Sequence, residues 1–190
     1  MTNPNVIKDF DLILKVTKEL NVRIFLEGGV LLGAIRNKDF LYHDNDFDFG
    51  IYRSEFPSER KDGFIKALTS KEMIFKGFEA PCFAERVEFA PREHMMKFWS
   101  KYAKWNVDFF IFEKTDNEYY HKGWGGYFHF PLECLDTLDE IDFLGYKVLV
   151  PHNPELYLET LYGKTWRIPN PGFKKNGIKK DYCNWTKELR

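Results

Sequence analysis

Cysteine is scarce in this chain. Cys82, Cys134 and Cys183 are the three in 190 residues, widely separated and without a C-x-x-C or Cys/His spacing. That argues against a disulfide framework and a thiolate zinc site, and it predicts reduced thiols in a cytoplasmic protein. Charge imbalance is missing too. Lys and Arg number 28 against 29 Asp and Glu, a formal net charge of −1, so no global field recruits nucleic acid or an anionic membrane, and any phosphate chemistry has to be local. No apolar run approaches a membrane span, and the first ten residues have neither a basic n-region nor an apolar h-region. Neither a transmembrane segment nor export is expected. With no internal repeat, low-complexity stretch or linker, residues 1–190 read as one domain, with a core from about 22 to 170 and a basic tail over 171–190. Oligomeric state is not legible.

Aromatic residues, by contrast, are abundant, with 19 Phe, 10 Tyr and 5 Trp, which suits a β-rich core or an aromatic-lined cleft. Asn3 before Pro4 reads as an N-cap with proline at the first helical position, and Val6, Ile7, Phe10 and Leu14 mark a helix face through about Leu20. Arg23 to Leu26 reads as a short buried strand, Glu27-Gly28-Gly29 as the turn out of it, and Val30 to Arg36 as a helix. Lys61 to Ser70 reads as another helix. Strands are expected near Met73 to Phe78, Phe83 to Phe89, Met95 to Tyr102 and Trp105 to Phe112. A hairpin or loop is expected around Gly123-Trp-Gly-Gly126, a turn at Leu144-Gly145, and a last helix from Asn153-Pro154 to Gly163.

The most informative stretch is His43-Asp-Asn-Asp-Phe-Asp-Phe-Gly50, running on to Ile51. Strand side chains alternate faces, so Asp44, Asp46 and Asp48 would share one side while Phe47, Phe49 and Ile51 enter the core. Three like charges on one face repel and raise one another's pKa unless a cation compensates. A bound divalent metal is the economical explanation, and oxygen-only ligands favour Mg²⁺, Mn²⁺ or Ca²⁺ over zinc. The competing reading is a solvated edge strand or an Asp-rich turn. Asp108, set among apolar neighbours on the strand 105–112, is either a strand-end acid facing water or a functional one. Gly28 and Gly29 before a helix can present backbone N–H groups to a phosphate, although two glycines after a strand are commonly just a tight turn.

Taken together, Gly-Gly, then Asp-hydrophobic-Asp-hydrophobic at 46–49, then hydrophobic-Asp-hydrophobic at 107–109, resemble the nucleotidyltransferase superfamily. Leu26-Glu-Gly-Gly-Val-Leu-Leu-Gly-Ala-Ile-Arg36, continuing through Phe40 to Asp44 and Tyr52, resembles the signature of the LicD and fukutin-related family of phosphotransferases. Val107-Asp-Phe-Phe is similar to that family's second acidic strand, and the stretches from Phe143 to Pro151, Tyr157 to Glu159 and Tyr162 to Trp166 are similar to its C-terminal part.

The resemblance implies an α/β (α+β) nucleotidyltransferase-like fold, a mixed sheet with flanking helices. It also implies transfer of a phosphorylated small alcohol, such as choline or ribitol phosphate, from a CDP-activated donor to a glycan or glycolipid hydroxyl, releasing CMP, in cell-surface polysaccharide biosynthesis. Asp44, Asp46, Asp48 and Asp108 match the family's acids and are the expected ligands of Mg²⁺ or Mn²⁺. Asp46, Asp48 and Asp108 are the expected catalytic residues, with Asp108 a ligand or the general base. Gly28 and Gly29 would orient the donor; Arg36 would hold a donor phosphate, or else pair with one of the aspartates. Lys174 and Lys175, with Lys179 and Lys180, would meet the nucleotide diphosphate or form a solvated surface. Trp124, Tyr127 and Trp166 would stack a ring or pack the core. Tyr42-His43 stands where the family has Pro-Trp, and His43 is either a phosphate-contacting group or a structural one. The rival activities are attachment of a nucleotide to a small molecule with pyrophosphate release, and a non-catalytic binding subunit of a glycan-assembly complex.

Overall fold

The computed structural model describes residues 3–71, 73–78, 94–123, 126–170 and 184–187. Helix α1 spans Pro4–Glu19; the Asn3 side chain accepts the Asn5 N–H at 2.9 Å, and Pro4 occupies the first turn. Its buried face of Val6, Phe10, Ile13 and Val16 packs on the sheet. Phe10 is the centre of that contact, its ring against Phe40, Phe47, Phe49 and Phe143 at centroid distances of 5.3–6.1 Å.

Strand β1 (Phe25–Leu26) leads into α2 (Gly28–Leu32), whose continuation over Gly33–Asn37 is a π turn. The helix thus opens at Gly28 itself, two residues earlier than the apolar pattern predicts. Strand β2 spans Asp46–Tyr52, with Phe47, Phe49 and Ile51 fully buried, as their alternation with the acids predicts. Helix α3 (Lys61–Ser70) and strands β3 (Met73–Phe78), β4 (Met95–Ser100) and β5 (Asn106–Lys114) follow. The strand expected near Phe83 to Phe89 lies outside the described residues. Strands β6 (Glu118–Gly123) and β7 (Gly126–Pro131) form the expected hairpin, followed by the short helix α4 (Leu132–Leu135).

These strands and β10 (Trp185–Thr186) make one mixed eight-stranded sheet. β2 and β5 are parallel neighbours; β1 pairs with the free side of β2, β4 with the first half of β5, and β6 with its end. The order is therefore β1-β2-β5-β6-β7-β10, with β4 and β3 branching from β5. A separate hairpin of β8 (Leu138–Phe143) and β9 (Tyr146–Pro151) turns at Leu144 and Gly145, both at positive φ. Helix α5 (Pro154–Tyr162) is capped by the Asn153 side chain and stops at Gly163, φ +81°. The architecture is the expected mixed α/β one. Among the described residues, no helix is long and apolar enough to cross a membrane.

Candidate active site

The parallel ladder places Asp48 of β2 directly beside Asp108 of β5, while Asp46 stands beside Asn106. On these strands the neighbours Phe47, Phe49, Val107 and Phe109 are fully buried on the opposite face, so the pleat that sinks the phenylalanines turns the acids together toward one cleft. That cleft is open to solvent and is lined by Glu27, Gly28, Gly29, Asp46, Asp48, Asp108, Phe110, His121, Phe128 and Leu161. It therefore gathers the acids from both strands, the opening of α2 and an apolar wall from the β5–β6–β7 sheet and α5.

Asp44 lies outside the strand. It sits in the turn before it, its N–H donating to Leu41 O at 3.1 Å, and its carboxylate comes against Gly29 rather than along the β2 face. The expected alternation of three acids on one strand face is corrected on this point, because β2 begins at Asp46 and the chain before it is turning. A Cβ on residue 29 would stand 1.9 Å from Asp44 Oδ2, and one on residue 28 would stand 2.6 Å from Asp48 Oδ2. The Gly-Gly pair thus gives room to carboxylates as well as opening a helix.

A further acid of the cleft is one the sequence presents only as a turn residue. Glu27 is 4% exposed; its Oε1 accepts the Tyr157 hydroxyl at 2.9 Å, and its backbone N–H donates to Asp48 O at 3.1 Å. Burial pushes its carboxyl up to about 7, against the Tyr157 and Gly28 donors and with the charges of Asp46 and Asp108 adding to the rise. Burial, then the charges of Asp46, Glu27, Asp108 and Asp44, hold Asp48 well above the usual carboxylate range. Lys97 of β4, in register with Asp108, brings a cation to 3.4 Å from Asp108 Oδ2. His121 closes the cleft. Burial lowers its pKa to about 3, with the Lys122 backbone opposing, so the imidazole is neutral.

Among the described residues, no three His, Cys, Asp or Glu side chains are drawn close enough, as placed, to hold a metal ion. The donor chemistry nonetheless fits a hard cation. Asp46 Oδ1 is buried with no hydrogen-bond partner, and the mutual repulsion that raises Asp48 is what a divalent charge would relieve.

Other sequence candidates stand apart. The Arg36 guanidinium donates to Trp166 O at 3.1 Å and to Asn37 Oδ1 at 2.8 Å, tying the π turn to the C-terminal segment rather than lining the cleft. Tyr42 is fully exposed and His43 is also exposed. Trp166 is buried, and Tyr127 packs against Tyr120 on the sheet. Lys174, Lys175, Lys179, Lys180 and Trp124 lie outside the described residues. Glu27, Lys97, His121 and Tyr157 are the residues sequence reasoning missed. Only Glu27 carried a signal, as an acid wedged between an apolar strand and two glycines.

A family model described as LicD/FKTN/FKRP, nucleotidyltransferase domain, matches residues 21–153. Ribitol 5-phosphate transferase FKRP of Mus musculus is 29% identical over 171 residues, 84% of this chain and 32% of that protein. Ribitol-5-phosphate transferase FKTN of Homo sapiens is 27% identical over 197 residues, 88% of this chain and 36% of that protein. The chain thus spans about a third of the length of the curated relatives it matches. Among solved structures, that of the antibiotic-resistance factor ANT(2'')-Ia is similar with a TM-score of 0.49 and 13% identity, covering 84% of this chain and 71% of that one.

Proposed function

This chain belongs to the LicD/FKTN/FKRP family of nucleotidyltransferase domains, and from that premise we propose that it transfers a phosphorylated small alcohol from a CDP-activated donor to a glycan or glycolipid hydroxyl. The observation that carries the reading is the side-by-side placement of Asp48 and Asp108 on parallel strands, opening with Asp46 into the cleft that Gly28 and Gly29 border. The relatives' names as ribitol phosphate transferases support the same direction.

Asp46 and Asp48 would hold Mg²⁺ or Mn²⁺, with Asp44 and Asp108 beside them, and the cation would supply neutralisation of the donor's diphosphate. The remaining work falls to the chain. The turn at Gly28-Gly29 orients the diphosphate, and the cleft's apolar wall excludes water that would hydrolyse the donor. The acceptor oxygen attacks the phosphorus that carries the alcohol, the anhydride bond to CMP breaks, and CMP leaves with the bond's electrons. Asp108 takes the hydroxyl proton, with Lys97 holding the carboxylate in place.

Product analysis tests this. Incubation with CDP-ribitol, CDP-glycerol, CDP-choline and CDP-ethanolamine, Mg²⁺ and a glycan acceptor is expected to release CMP from at least one donor. Pyrophosphate release from a nucleoside triphosphate would instead mark nucleotidyl transfer. Donor binding without turnover would mark a binding subunit.

A further inference from the structure

His121 is a buried polar group in an aromatic setting. It is 3% exposed, its ring stacks on Phe128 at 4.9 Å and 11°, and Phe110 and Phe112 flank it at 4.8 Å each. Its Nε2, the nitrogen that faces Glu27, has no hydrogen-bond partner. Buried polar atoms are rarely left so, and each such atom calls for an explanation. A histidine kept for packing alone would be better replaced by a phenylalanine, as its neighbours are.

Its position supplies the explanation. His121 lines the cleft, and its Nε2 is 3.9 Å from Glu27 Oε1. That separation is too long for a direct hydrogen bond, but one oxygen at about 2.8 Å from both atoms spans it. Such an oxygen would accept from an Nε2–H and donate to the carboxylate, which is what a hydroxyl does and what a quaternary ammonium cannot do. Glu27 is itself fixed for the task, because Tyr157 holds the same oxygen from the side of α5.

We propose that His121 and Glu27 form a hydroxyl-recognition site that binds an OH of the transferred alcohol, so that the cleft selects a polyol phosphate over phosphocholine. The proposal rests on the transferase reading and assigns its donor specificity. Losing one partner of a hydroxyl in a site built to bond it weakens the hydroxyl-bearing ligand selectively, because the other polar group is left unpaired.

Calorimetric titration of the full chain with CDP-ribitol and with CDP-choline, for the protein as it is and for His121→Phe, tests it alongside the His121 nitrogen resonances by NMR. His121→Phe keeps the stack on Phe128 and removes the nitrogens. It is expected to weaken CDP-ribitol by about tenfold or more and to leave CDP-choline unchanged, while His121→Gln restores part of the loss. CDP-ribitol should shift the imidazole nitrogens and CDP-choline should not. Equal CDP-ribitol affinity in both proteins, no CDP-ribitol binding at all, or imidazole shifts of the same size with both donors, as a bridging water alone would give, would overturn the proposal. If His121→Phe fails to fold, the nitrogen shifts in the unaltered protein decide alone. Selective CDP-ribitol binding through His121 without CMP release on adding acceptor would defeat the transferase reading and leave the recognition site standing.

Discussion

The Cβ that residue 28 lacks would lie 2.6 Å from Asp48 Oδ2, and Gly28 sits at φ +53°. Glycine is thus required twice, for a left-handed backbone and for the space a carboxylate occupies. The turn and the acidic strand are therefore one unit, with the opening of α2 lying directly on the acids.

Gly28→Ala is expected to destabilise the fold by more than about 1 kcal/mol, since the native φ is strained for alanine and the methyl displaces Asp48. Turnover should fall further than stability explains. Urea denaturation beside a CMP-release assay checks this; an alanine variant as stable and active as the parent would contradict it.

Tyr157→Phe removes the hydroxyl that donates to Glu27 Oε1 while keeping the ring stacked on Phe130 at 4.2 Å. The buried carboxyl then loses a donor, at a cost of about 1–3 kcal/mol. Thermal melts should show the loss at neutral pH. An unchanged melting temperature would mean that Glu27 finds another donor.

His121 sets part of the acid sensitivity. Its pKa falls from 6.5 in the unfolded chain to about 3 in the fold, so the unfolded state binds more protons between those values. Stability from this group is complete above about 6.5 and is lost as pH falls toward 3. The stability of the protein relative to that of His121→Phe, followed by denaturation from pH 7 to 4, should fall steadily as pH drops. A constant difference would rule out a neutral buried imidazole.

Divalent cation should oppose the crowding of acids. Mg²⁺ or Mn²⁺ at a hundredfold excess over its dissociation constant is expected to add about 2.7 kcal/mol of stability. In metal-free buffer Asp48→Asn should melt no lower than the parent, because it removes a charge that Asp46, Glu27, Asp108 and Asp44 all repel. The same variant should lose most of the metal response. Scanning fluorimetry of both proteins, with and without metal, tests the two halves together.

Much of this frame was legible in the sequence because local chemistry dictates it. The caps at Asn3 and Asn153, the alternation from Asp46 to Ile51 and the stop at Gly163 each name their element without help from tertiary contacts. That Asp108 joins Asp46 and Asp48 was legible only through the family resemblance, because the β2–β5 pairing that brings them together is not local. Asp44 misled because alternation by itself does not say where a strand begins; the backbone turns from Leu41 to Asp44 before pairing starts. Glu27 and His121 stayed hidden because their meaning comes from partners far along the chain. Tyr157 is 130 residues from Glu27, and only the β5–β6 pairing carries His121 to the acids. Arg36 reads in the sequence as a phosphate ligand or the partner of an aspartate, and its bond to the Trp166 carbonyl, 130 residues away, is another contact that local pattern does not disclose.

The most direct measurement is CMP release from a CDP-alcohol in the presence of Mg²⁺ and acceptor, run for the protein and for Asp48→Asn. The account predicts metal-dependent release that falls by about a hundredfold or more in the variant, as loss of a group that holds the charge stabilising the transition state does, with the fold retained by circular dichroism. Near-normal release by Asp48→Asn would contradict it.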